Sequence, residues 1–184
     1  MTDEVQTLLS GRRPLVVVFQ ASSALVAGIG LAWTYYGQRV VMDVGGSCAD
    51  GGPYVSAQPC PDGAGLMAVG IPVMLLFVIG ATFAATISET PLPVFPMWAV
   101  LFGTLGWNFL EYGFADPKSV SWIVCGVVFW LIAAPAVPLT LGALRSRSTD
   151  RPGQAGVRVY WISIYLGLGA IGWGLGWWSF DSWT

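Results

Sequence analysis

Apolar residues gather into five long runs separated by Gly, Pro and charged positions, at about 15–36, 66–87, 95–112, 120–144 and 159–180. A helix needs about 20 residues to cross the hydrocarbon core of a bilayer, and each run is near that length. None contains Lys or Arg, and only the third contains an acid, Glu111. The pattern predicts an all-α integral membrane protein. It is a bundle of about five transmembrane helices in one domain spanning 1–184, with its longest connection at about 37–65.

Two other readings of the runs compete. The first run has the length of a span rather than of a signal-peptide core, and no small-x-small site leads into a polar segment. It reads as an uncleaved first helix. The third run is the shortest and is bounded by Pro91, Pro93 and Pro96. Were it re-entrant, four spans would remain, and the charge pattern at Arg145 to Arg158 would break.

Lys and Arg favour cytoplasmic loops. With the N-terminus inside, the inner segments hold Arg12, Arg13, Arg145, Arg147, Arg151 and Arg158, and the outer ones hold Arg39 and Lys118. This predicts a cytoplasmic N-terminus, an extracytoplasmic C-terminus and residence in the plasma membrane. Cys48 and Cys60 then fall together in the outer loop, where an oxidising compartment preserves disulfides. A Cys48–Cys60 bridge is expected. Cys125, inside the fourth run, reads as a small buried apolar residue. The tail before residue 11 reads as too short to fold, and the stretch from Arg145 to Gly156 as a Ser-, Arg-, Gly- and Pro-rich connector.

Composition agrees. Hydrophobic residues make up 55% of the 184-residue chain and charged residues 10%, against roughly 25% charged in soluble domains. Mean hydropathy is +0.67. The 10 Trp suit bilayer interfaces. No basic patch offers a footing for nucleic acid. His is absent, which removes the commonest metal ligand and the commonest neutral-pH base. Neither a metal site nor a His-based triad is expected, and no cofactor. There is no Walker motif, and Cys48 and Cys60 are not a C-x-x-C pair. Lys118, beside Ser119 and Ser121, reads as too wet for a lysine base. Asp43, Asp50 and Asp62 match no calcium-loop spacing.

The outer loop carries turn signals at Gly51-Gly52-Pro53 and Pro61-Asp62-Gly63. Its pattern, Cys48, then Gly51-Gly52-Pro53-Tyr54, then Pro59-Cys60-Pro61-Asp62-Gly63 and at once an apolar helix, resembles small polytopic membrane proteins of actinobacteria. The resemblance covers the loop and the second helix. It implies a multi-pass membrane protein and attaches no activity.

Polar and small residues inside the runs supply the candidate sites. Asn108 and Glu111 lie three apart on one face of the third helix, with Arg39 and Lys118 as possible ion-pair partners on the same side. An ionisable residue in a span is a functional candidate, although the position of Glu111 near the outer end also suits an interfacial ion pair. Gln20, Ser22, Ser23, Thr82, Thr86 and Thr104 are placed for hydrogen bonds between helices. Gly172 and Gly176 form a GxxxG in the fifth helix, and Gly103 with Gly106 makes a smaller notch in the third. Both fit close packing, inside the chain or against another membrane protein. Pro135 and Pro138 are expected to kink or unwind the fourth helix.

These features point first to a non-catalytic accessory or stabilising subunit of a larger membrane complex. Its partners would be the bilayer and another membrane protein or a second copy. A small oligomeric transporter would need a water-filled cavity at Asn108 and Glu111. A lipid-modifying enzyme would need outer acids such as Glu111 and Asp116 converging in one cleft.

Overall fold

A computed structural model describes residues 2–48, 58–88, 90–115, 117–145 and 154–184, and side chains within 14–142 and 159–184 of these. Among the described residues all regular structure is helical: α1 (Thr2–Asp43), α2 (Ala64–Ser88), α3 (Val94–Phe114), α4 (Val120–Ala133), α5 (Ala136–Arg145) and α6 (Gln154–Asp181). The predicted runs are all present. Asp50, Gly51-Gly52-Pro53-Tyr54, Asp116, Arg147 and Arg151 lie outside the described residues, as do the side chains of Arg12, Arg13, Arg145 and Arg158.

The chain traverses the bundle five times. α4 and α5 together form the fourth pass, because Pro135 has no N–H to continue the ladder. Pro138 falls in the first turn of α5, where a missing N–H costs little. Four passes are long and apolar enough to cross a membrane: Pro14–Asp43, Ala64–Ser88, Val120–Gly142 and Val159–Asp181. α3 is outside that set because Asn108 and Glu111 dilute its hydropathy. Its 21 residues still rise roughly 31 Å, the thickness of a hydrocarbon core.

α1 departs most from expectation. It starts at Thr2 and runs 42 residues to Asp43, so the N-terminal segment is helical rather than too short to fold. Arg39 and Asp43 are helical residues, and the loop begins after them. Gly45 and Gly46, at φ 97° and 84°, end the helix. Gly45 N–H donates to Met42 O at 3.0 Å and Gly46 N–H to Val41 O at 2.9 Å. This double closure caps the last carbonyls, and the left-handed backbone it needs favours glycine.

Two units make up the bundle. In the first, α1 is sandwiched between α2 and α6. A Cβ on Gly172 would collide with the backbone carbonyl of Leu25, and one on Gly28 with that of Gly169. On the other flank of α1, a Cβ on Gly30 would lie 2.8 Å from Gly70 O. Glycine here lets three backbones touch. In the second unit, α3 packs on α4, where a Cβ on Gly126 would lie 2.9 Å from Gly106 O. Trp130 Nε1 donates to Gly103 O at 3.2 Å, and Trp98 Nε1 to Ile132 O at 3.1 Å. The units meet along a thin seam of α1 against α3, filled by Ala27, Leu31, Met74 and Leu101.

The passes alternate in direction. Gly63, beside Cys60, abuts Phe180 and Thr184, so the disulfide loop and the C-terminus share one end of the bundle. The start of α1 and the α2–α3 connection are at the other.

Candidate functional site

Polar side chains of the seam concentrate at the disulfide-bearing end. Tyr35, Gln38, Arg39 and Asp43 lie at helical spacing on α1, and Asn108, Glu111 and Tyr112 on α3. Residues three or four apart share a helix face, so two short polar stripes meet across the seam.

Arg39 is the centre of the cluster. Its Nη1 donates to Glu111 Oε2 at 2.7 Å and its Nη2 to Glu111 Oε1 at 3.0 Å, the two-pronged geometry that suits guanidinium and carboxylate. Nη1 also reaches Asn108 Oδ1 and the Tyr35 hydroxyl, each at 3.3 Å. The guanidinium carbon lies 5.7 Å from the Tyr35 ring centroid and 5.3 Å from that of Tyr112, within range of cation–π attraction. The Arg39 and Glu111 side chains remain 28% and 43% exposed. The pair therefore lies at the rim.

Asn108 is fully buried beneath the pair. Its Nδ2 donates to Tyr35 O and to Gln38 Oε1, each at 3.2 Å, while its Oδ1 accepts from Arg39. Tyr112 donates its hydroxyl proton to Asp43 Oδ1. The cluster is thus cross-bonded between α1 and α3 at several depths.

The sequence-derived candidates resolve differently. Asn108 and Glu111 do share a site, and Arg39 is the partner of Glu111. Lys118 is exposed at the start of the fourth pass and is not part of the ion pair. Cys48 and Cys60 form the expected disulfide, with Cα atoms 4.9 Å apart. Gly172 and Gly176 pack inside the chain against α1. Gly106 packs on α4, and Gly103 faces open space. Cys125 is exposed, not buried, because it lies on the outward face of α4. Ser22, Thr82, Thr86 and Thr104 bond carbonyls of their own helices. Among the described residues, only Gln20 of that group reaches another element, donating to Thr90 Oγ1 at 2.8 Å and Ser88 Oγ at 3.2 Å. Ser23 Oγ is buried without a partner among the described residues.

Tyr35, Gln38 and Tyr112 were not singled out from sequence. The i, i+4 series Tyr35, Arg39, Asp43 becomes visible once the first helix is extended to Asp43. Among the described residues no group of His, Cys, Asp and Glu is arranged to hold a metal ion.

No family model, curated protein or solved structure matches the chain.

Proposed function

We propose that the chain is a non-catalytic multi-pass membrane protein that serves as an accessory or stabilising subunit of a larger membrane complex. In this reading it sits in the plasma membrane, with the N-terminus cytoplasmic and both the disulfide loop and the C-terminus outside. The carrying observation is that the charged pair of the seam is closed on itself. Arg39 directs its donors to Glu111, Asn108 and Tyr35. A carboxylate held by two hydrogen bonds to a guanidinium is a poor base and a poor ion site. The cluster works as a clamp between two helical units.

The orientation draws support from three signals that agree. Arg145 at the end of α5 and Arg158 in the first turns of α6 belong to the end that holds the start of α1, the disulfide suits an oxidising side, and the C-terminus abuts the disulfide end. The outward aromatic surface supports a docking role. Trp177, Trp178 and Trp183 are exposed near the C-terminus, and Trp is favoured both at membrane interfaces and at protein contacts.

A transporter would need a wet cavity at Asn108 and Glu111, and neither residue lines the cavities of about 280 and 220 Å³ that flank α1. The test is purification of the tagged chain from its native membrane in mild detergent, followed by native gel and mass spectrometry. A stoichiometric, unrelated membrane protein supports the subunit reading. A homo-oligomer alone, with solute flux abolished by Glu111→Gln, would replace it with transport.

A further inference from the structure

A cavity of about 280 Å³ flanks the seam between α2 and α4, with α1 as its floor. Its lining reaches from Thr34 to Met42 on α1 and from Trp122 to Phe129 on α4. At about 1.5 Å per residue these stretches make a slot roughly 10–12 Å long, parallel to the helix axes. Trp122 folds over Gly46 and closes the disulfide end. α2 and α4 bound the slot with little packing between them, which leaves it open sideways, and of the four spans long and apolar enough to cross a membrane these two are the least buried.

The lining chemistry selects the occupant. Thr34 and Gln38 are the hydrogen-bonding side chains away from the Trp122 cap. Thr34 Oγ1 already donates to Gly30 O at 2.7 Å, and Gln38 Oε1 accepts from Asn108. A buried water needs about two to four polar partners, too many for a file of waters here. Left empty, the slot would forfeit dispersion contacts along its length. A side opening between two bilayer-facing helices gives access to hydrocarbon chains.

We infer that this slot binds one acyl chain of a bilayer lipid, laid between α2 and α4 against α1. The inference rests on the membrane-embedded reading and not on the subunit role. The chain fills the gap that α2 and α4 leave beside the Arg39–Glu111 clamp, so lipid and clamp together hold the two units.

The experiment uses the full chain in vesicles of phosphatidylethanolamine and phosphatidylglycerol doped with a phospholipid carrying a mid-chain diazirine. Irradiation, digestion and mass spectrometry locate the adducts. Leu76 and Phe83 face outward on α2, 70% and 68% exposed, and report embedding alone. Met42 and Phe109 line the slot, and Met42 is buried. The expected result is labelling of Met42 and Phe109 as strong as that of Leu76 and Phe83. Leu105→Trp, which fills the slot from α3, should abolish it at the slot and leave the outward positions labelled. Ile71→Trp fills the slot from α2 and serves if the first variant does not fold. Adducts at Leu76 and Phe83 alone, or slot labelling unchanged in the filled variants, overturn the inference while leaving embedding intact. No adducts at any of these positions would overturn the embedding as well.

Discussion

Arg39 and Glu111, 72 residues apart in sequence, join α1 to α3 through two hydrogen bonds of 2.7 and 3.0 Å. Asn108 and Tyr112 add the neighbouring polar links between α1 and α3, and the apolar seam beside them is thin. Both side chains are partly exposed, so the pair's own coupling should be that of a rim pair, about 0.2–1 kcal/mol. Arg39→Ala should cost more than Glu111→Ala, because it also removes donors from Asn108 Oδ1 and the Tyr35 hydroxyl. A double-mutant cycle on thermal unfolding in detergent, followed by circular dichroism, measures both quantities. Strict additivity of the two single losses would show that the pair carries no coupling.

Asn108 has a different standing because it is fully buried. Asn108→Leu would strand the buried Gln38 Oε1 without its Asn108 donor, while the Tyr35 carbonyl, inside α1, keeps its helical bond. Leaving buried groups unsatisfied costs about 1–3 kcal/mol, more than the roughly 0.6 kcal/mol average for a single interhelical hydrogen bond in a membrane. The same unfolding assay should therefore rank Asn108→Leu below Glu111→Gln in stability. The reverse ranking would mean that the exposed pair, not the buried amide, anchors the seam.

Glycines of α6 should divide by position. Gly172 lies against the Leu25 carbonyl, whereas Gly174 meets nothing within 4 Å. Gly172→Ala forces the α1–α6 backbones apart and should destabilise by about 1–3 kcal/mol, the range for overpacking. Gly174→Ala removes a flexible residue from a helix and should stabilise by about 0.5–1 kcal/mol. Opposite signs two residues apart are the expected outcome, and equal effects would contradict the α1–α6 contact.

Cysteine chemistry gives a separate check. Non-reducing mass spectrometry should find a Cys48–Cys60 linked peptide and Cys125 alone open to a membrane-permeant maleimide. Reducing the bridge releases a loop with a sequence separation of 12, for which the chain-entropy model gives about 3 kcal/mol. Free thiols at both Cys48 and Cys60 in the native protein would remove the bridge from the account.

Much of the architecture was legible from hydrophobic run length alone, because backbone groups in lipid must be bonded within the helix. The disulfide was legible from two cysteines in one loop. The end of α1 was misplaced because Arg39 and Asp43 read as loop charges. In the fold Arg39 is neutralised by Glu111, and Gly45-Gly46 supplies the stop signal two residues beyond Asp43. The Asn108–Glu111 face was legible from its spacing of three. Its partners were not, since which α1 residues oppose it depends on how far α1 extends and how the two units dock. Burial of Cys125 was a sound expectation from composition, but position on an outward helix face is decided by packing that one sequence does not reveal.

The most direct test of the account is the side of the membrane on which the chain ends. Five alternating passes put the two termini on opposite sides, and the four-span reading puts them together. Green fluorescent protein fused before Met1 should fluoresce, and alkaline phosphatase fused after Thr184 should be active. Phosphatase inactive after Thr184, with a fluorescent protein bright at that same position, would place both ends in the cytoplasm and contradict the five-pass arrangement.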